Sequence, residues 1–357
     1  MSISNKNELT SAYKDFWAWF ETNESTFHKA VKENDNVVEN FFDYLATELD
    51  KITEGIFYLS GMYDENTSEL ILTADGNLEN IVLIEELINV APSLKNWKFT
   101  ALKPEHDIEN MSIKMGDYTF NKDNISFYAT EHEYYPDLVD IVLVHDDYTE
   151  QNKDNIANGV LIYLDNYLGE LRFAVDIDEF SFASKTEAKS ELIPLSKLKD
   201  YIIWREKEFL EKYNKVDTCE LEDKYSQLSA DLSNGKPLLA IINTNLLNWE
   251  HKASHPWVLS IEISYTGAEN GMPTDTELSE IYEFEDMLEK NLEVDGVLYI
   301  GRQTADGSRE IYYVSDDFRA MSKIMFFLKN TPSIQLDFDY EIYKDKYWQS
   351  FERFNVN

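Results

Sequence analysis

The chain of 357 residues carries 68 acidic against 32 basic side chains, a formal net charge of -36, and includes 22 Tyr, 20 Phe and 7 Trp. That aromatic content excludes a disordered acidic chain, and a soft prior of roughly 150 residues per domain suggests about two domains. A surface this negative repels nucleic acid and anionic membrane, which are bound through basic patches, and attracts basic protein surfaces.

In chain order, Val37, Val38, Phe41, Phe42, Leu45, Leu49 and Ile52 recur at three and four, the stripe of one helix ended by Gly55. Ile56–Leu59 and Glu69–Thr73 read as strands, 78–90 as a helix closed by Ala91-Pro92, and Trp97–Leu102 as a strand. Ile125–Thr130 and Leu138–His145 read as strands, Asn155–Leu168 as a helix capped by Gly169, and Leu171–Ile177 as another strand. A helix is expected from Pro194 to Tyr213. The polar stretch 215–237, ending in Asn234-Gly235-Lys236-Pro237, is expected to be a linker. Beyond it come strands at Leu238–Asn243 and Trp257–Tyr265, and a helix at Thr276–Leu292. Strands at Val297–Gly301 and Arg309–Val314 flank an Asp306-Gly307 turn, a helix follows at Phe318–Leu328, and Ile334–Ile342 closes as a strand.

The order ββαβ appears about three times, and the last third reads βαββαβ. The fold class expected is therefore α+β, with packed ferredoxin-like antiparallel sandwiches built from repeated ββαβ units. The division expected is an N-terminal α+β domain over 1–214, a linker over 215–237, and a C-terminal ferredoxin-like domain over 238–357. Thr73-Ala74-Asp75-Gly76 recurs as Thr304-Ala305-Asp306-Gly307, a match assigned to turn chemistry rather than duplication.

A lone cysteine, Cys219, excludes an intramolecular disulfide. It lies among Asp217, Glu220 and Glu222, which make it a poor nucleophile. The first residues lack an apolar signal region, and no apolar run approaches the roughly 18 residues of a membrane span, so a cytoplasmic protein is expected. Neither a phosphate-binding glycine loop nor a G-x-S-x-G elbow occurs, and no cofactor or catalytic residue is assigned.

The candidate sites are few. Arg302 and Arg309 flank Asp306, either neutralised by Asp306 or Glu310 or forming a clamp for a small anion. His251 and His255, four apart beside Trp249 and Glu250, could face one another on a helix as metal ligands. Pro256 argues for a loop there, and the structural reading is favoured. Glu131-His132-Glu133 does not converge on a strand. The acidic runs at 146–147, 283–286, 316–317 and 337–339 read as solvated faces.

The last third resembles a bacterial family catalogued as domain of unknown function 695. The resemblance rests on Trp249-Glu250, the strand Trp257–Tyr265, Gly271-Met272-Pro273 and the segment from Glu277 to Leu292 with Glu285-Asp286. It also rests on the string Tyr-x-Gly-Arg-x-Thr-x-x-Gly-x-Arg-x-x-Tyr from Tyr299 to Tyr312. The family has no assigned activity, so the resemblance implies no catalytic residues. Some members join this domain to one resembling the ribonuclease E inhibitor of the B type, an acidic protein that binds an enzyme without chemistry of its own. The N-terminal part of this chain does not show that inhibitor's sequence. The function expected is a non-enzymatic acidic regulator, inhibitor or immunity-type partner of a basic protein. The alternative is a small-ligand binder or unfamiliar enzyme in the C-terminal domain.

Overall fold

A computed structural model describes residues 3–213 and 222–355, so Cys219 lies outside the described residues. The chain divides into two compact units, one of Lys6–Glu208 and one built on Phe209–Asn357. Helices and sheets are both abundant, an α+β fold.

The N-terminal unit opens with α1 (Ile3–Glu33), followed by a π-helical turn (Val38–Phe42) that runs into α2 (Asp43–Leu49). Strands β1 (Phe57–Met62) and β2 (Ser68–Thr73) form a hairpin, and α3 (Leu78–Asn89) crosses to β3 (Trp97–Ala101), which pairs parallel to β2. One face of this sheet meets α1 through a cluster of rings: Trp17, Phe20, Phe27, Phe41, Trp97 and Phe99. The indole nitrogens inside it are satisfied, Trp17 Nε1 donating to the Leu87 carbonyl (2.8 Å) and Trp97 Nε1 to that of Glu24 (3.1 Å). Helix α1 was not expected, yet Leu9, Tyr13, Phe16, Trp17 and Phe20 carry its stripe.

The same ββαβ plan follows. A small hairpin, β4 (Ser112–Met115) and β5 (Tyr118–Asn121), precedes β6 (Ile125–Thr130) and β7 (Asp140–His145). Helix α4 (Lys153–Leu168) ends at Gly169 and gives way to α5 (Glu170–Asp176). The chain then enters β8 (Glu179–Phe182), parallel to β7, with short β9 (Ile193–Pro194) on the far side of β6. Of residues 171–177, expected as a strand, 171–176 are thus in helix α5, and the parallel strand comes after them. Helix α6 (Leu198–Tyr213) follows. The core here joins Phe127, Ile141 and Leu143 of the sheet to Ile156, Val160 and Tyr163 of α4.

The C-terminal unit holds one six-stranded sheet. Its strands are β10 (Tyr225–Asp231), β11 (Pro237–Asn243), β12 (Trp257–Ser264), β13 (Val297–Ala305), β14 (Ser308–Ser315) and β15 (Phe338–Lys344). The helices are short α7 (Thr244–Leu247), α8 (Asp275–Leu292) and α9 (Phe318–Lys329). The strand order is β10-β11-β13-β14-β12-β15, and every neighbouring pair is antiparallel. Read from β15 inward, the four strands β15, β12, β14 and β13 take the order that two interleaved βαβ units produce. Strand β10 lies inside the stretch expected to be linker; its residues pair with β11 along their whole length.

The two faces of this sheet are covered differently. On one, α8 and α9 pack, with Phe284 against Phe338 and Trp257 against Phe318 (ring centroids 4.7 and 4.9 Å). On the other, Val258, Ile300, Tyr312 and Val314 are buried under Leu246 and Leu247 of α7, Trp348, and Phe351 and Phe354 of the C-terminal 3-10 turn (Gln349–Phe354).

Candidate functional site

Helix α8 is set in place by its first turn. Thr274 caps it, and the Glu277 carboxylate accepts from the backbone N–H of Thr274 (2.8 Å), Thr266 (3.0 Å) and Gly267 (3.1 Å). Those backbone bonds, led by that from Thr274, hold its carboxyl below the usual range. The fixed helix then delivers Glu285 to the sheet.

Alternation along β13 and β14 puts Arg302, Thr304 and Arg309 on the helix-covered face. Glu285 receives both guanidinium groups, one on each carboxylate oxygen: Arg309 Nη1 at 3.0 Å on Oε1, and Arg302 on Oε2. Arg309 Nε donates to Thr304 Oγ1 at 2.9 Å. The Tyr282 ring, one helical turn before Glu285, flanks both cations at 5.5 and 5.6 Å. The side chain of Arg309 is 6% exposed and that of Glu285 12%, against 24% for Arg302.

The neighbours expected for these arginines are therefore corrected. Glu285 lies between them rather than on a solvated face. Asp306 instead takes the ammonium of Lys236 and accepts from Asn234 Nδ2 (2.8 Å). Glu310 lies on the opposite face, where it accepts from Gln303 Nε2 (3.1 Å) and the Tyr312 hydroxyl and sits 3.6 Å from the Arg353 guanidinium. The reason is the period of two along a strand, which sends residues 309 and 310 to opposite sides.

The same geometry accounts for the glycines of the motif. Gly301 sits at a bulge in β13 with φ +149°, and a Cβ there would meet the Ile241 carbonyl at 2.3 Å. At the hairpin tip Asp306 and Gly307 both have positive φ (45° and 85°). Asp75 and Gly76 have nearly the same angles (50° and 84°) at the turn from β2 to α3, so the repeated tetrapeptide is one turn used in two settings.

Trp249, His251 and His255 lie at the sheet's other end. The Trp249 ring stands 6.0 Å from His251, 5.2 Å from His255 and 6.0 Å from Trp348. His255 is buried, its Nδ1 is 2.8 Å from Ser254 Oγ, and its carbonyl accepts from Trp348 Nε1 (2.8 Å). Burial lowers its pKa, opposed by the charge of Asp316. Residues 252–254 form a 3-10 turn rather than an α-helix. Among the described residues no group of three or more His, Cys, Asp and Glu is placed to hold a metal ion.

Outside this face, α8 turns Asp275, Glu280, Glu283, Asp286 and Glu289 to solvent, followed by Glu293 at its C-cap, with Tyr282 among them 44% exposed. Lys290 is the one basic side chain in the helix.

The C-terminal unit thus defines an antiparallel sheet domain with helices on one face and, beneath them, an arginine pair that shares one carboxylate. Residues 227–354 match the model of a family of unknown function, DUF695. The match starts within β10 and includes the whole arginine motif, in agreement with the resemblance seen in the sequence. No curated protein and no solved structure matches the chain. No helix among the described residues is long and apolar enough to cross a membrane.

Glu285 as the partner of the two arginines, with Thr304 and Tyr282 as their neighbours, was not apparent in the sequence. Helical spacing supplies a signal after the fact, because 278, 281, 285, 288 and 292 share one face of α8 and a charge in that stripe demands a partner.

Proposed function

We propose that the chain acts by binding, without chemistry of its own, a protein that presents a basic surface. The observation that carries this reading is the outer face of α8. Its exposed carboxylates make no ion pair among the described residues, and an exposed tyrosine lies at their centre. Complementary charge accelerates encounter and fixes register, and an aromatic body supplies contact area. The two arginines behind the ridge share the Glu285 carboxylate, which cancels one of their two positive charges.

Affinity capture from native lysate at low and then moderate salt tests this, comparing the natural chain with a variant carrying Glu280→Gln, Glu283→Gln, Asp286→Asn and Glu289→Gln. The expected result is a basic protein retained at low salt, released as salt rises, and lost with the variant. Specific partners that are all acidic, or that the variant retains unchanged, overturn it.

A second reading, a small-ligand binder in the C-terminal domain, is favoured by a cavity on the other face of the sheet.

A further inference from the structure

Strand β10 presents Ser226 and Leu228 to the face opposite α8, level with Ile242 and Ala240 of β11. There it meets α7 and the last turn of the chain around a cavity of about 780 Å³, within the size range of small-molecule sites. Its charge sets it apart. A cavity of about 670 Å³ beside α5 is lined by Asp75, Asp165, Glu170, Asp178 and Glu179, and one of about 490 Å³ beside α8 by Glu277, Glu280, Glu283 and Asp337. Neither has a cation in its lining, though Lys103 Nζ pairs with Asp75 (2.8 Å) and Asp165 (2.6 Å) of the first. The β10 cavity has two, Lys224 and Lys252, and no carboxylate in its lining. In a chain with 68 acidic residues against 32 basic ones, this is a local reversal of sign.

The neutral lining is also differentiated. Asn245 Nδ2 donates to the Glu222 carbonyl (2.7 Å) and Asn248 Nδ2 to that of Thr244 (2.8 Å). Each Oδ1 is left as an acceptor with no hydrogen bond among the described residues. Ser226 and Thr244 supply hydroxyls 3.5 Å apart, and Leu228, Leu247 and Phe354 form an apolar wall. Neither lysine ammonium is in an ion pair among the described residues. Burial lowers the pKa of Lys252, against the pull of Glu352 and Asp345, a cost that a bound anion would offset.

We propose that this cavity binds a phosphate monoester with a hydroxyl- or amino-bearing body, its phosphate between Lys224 and Lys252 and its body against Asn245, Asn248 and Phe354. Lysine serves phosphate as a point charge, and two of them match the dianion. Asparagine oxygens accept from hydroxyl or amino groups, and the apolar wall covers a ring face. The proposal rests on the ligand-binding reading and is independent of the acidic ridge.

The test is calorimetric titration of the full chain with ribose 5-phosphate and a nucleoside monophosphate, with ribose, the nucleoside, inorganic phosphate and sulfate as comparisons. One of the two esters is expected to bind with unit stoichiometry, at least about tenfold tighter than its unphosphorylated body and than either inorganic anion. Lys224→Gln and Lys252→Gln should each weaken it by about tenfold or more, the scale of one lost charge-assisted hydrogen bond, while Lys290→Gln leaves it unchanged. Lys224 is exposed just before β10, so its variant keeps the test open if Lys252→Gln fails to fold. No binding of either ester, binding no tighter than that of inorganic phosphate or sulfate, or binding indifferent to both lysines overturns the proposal. Lysate capture by the lysine variants should match that of the natural chain, so the failure of one reading is distinguishable from that of the other.

Discussion

Glu285 and its two arginines show how differently two like contacts weigh when burial differs. Arg309 is buried and Arg302 is half-open, although both meet the same carboxylate. Removing a partner from a buried charge costs about 3–5 kcal/mol, while an exposed pair is worth about 0–1 kcal/mol. Glu285→Ala should therefore lower the unfolding free energy of the C-terminal unit by several times as much as Arg302→Ala, measured by urea denaturation. Equal losses would place the energy elsewhere than in the buried ion pair. His255 offers a pH counterpart. Burial depresses its pKa below the ordinary histidine value of about 6.5, so the unfolded chain binds the proton first. The contribution is full above about pH 6.5 and is lost as pH falls through the depressed value. Denaturation midpoints taken between about pH 7 and about pH 5 should fall less for His255→Gln than for the natural chain; equal slopes would show that His255 does not drive the loss.

Helix α5 is the element in which tertiary structure overrides local pattern. Leu171, Phe173, Val175 and Ile177 alternate with Arg172, Ala174 and Asp176, the period of a strand. What decides for helix is Glu170 at its start, 1% exposed, whose carboxylate is held by the turn between β2 and α3. It accepts from Thr73 Oγ1 (2.6 Å) and from the backbone N–H of Ala74 (2.9 Å), Gly76 (3.1 Å) and Lys103 (3.0 Å). No spacing in the sequence links residue 170 to residues 73–76, so this anchor was not legible there. Glu170→Ala leaves these donors without their partner, at roughly 1–3 kcal/mol for each buried one. The N-terminal unit should lose several kcal/mol, read by urea denaturation. A loss under about 1 kcal/mol would mean that water replaces the carboxylate. Strand β10 was missed for the opposite reason: Tyr-Ser-Gln-Leu-Ser-Ala-Asp at a sheet edge is exposed along most of its length and carries little periodicity. The Asp306-Gly307 hairpin was legible because two positive φ angles leave few residue choices. Strand β15 starts later than the alternation from Ile334 implies, because its pairing with β12 reaches only to Phe338.

At the scale of the whole chain, the hydrophobic periods gave the α+β class and most of the element order. The candidate sites were legible only as residue types. Arg302 and Arg309 stood out against an acidic background, but the carboxylate that bridges them comes from a helix whose acids all looked alike in sequence. The β10 cavity was invisible for a related reason: Lys224 and Lys252 are far apart in the chain and join only when β10 and the turn at 252–254 flank the same space.

The strand order bears on how the C-terminal unit is made during synthesis. Strand β12 is internal to the sheet, yet both of its neighbours, β14 and β15, lie later in the chain. Strand β11 likewise waits for β13 on one side. A nascent chain emerging from the ribosome therefore exposes Trp257, Val258, Leu259, Ile261 and Ile263 until residue 315 has followed, and one flank stays open until residue 344. Long-range pairing of this kind folds slowly and leaves apolar strand exposed in the interval. The helix formed in that interval, α8, carries a dense run of carboxylates, and repulsion between copies of it would oppose contact between neighbouring unfinished chains while β12 is still uncovered.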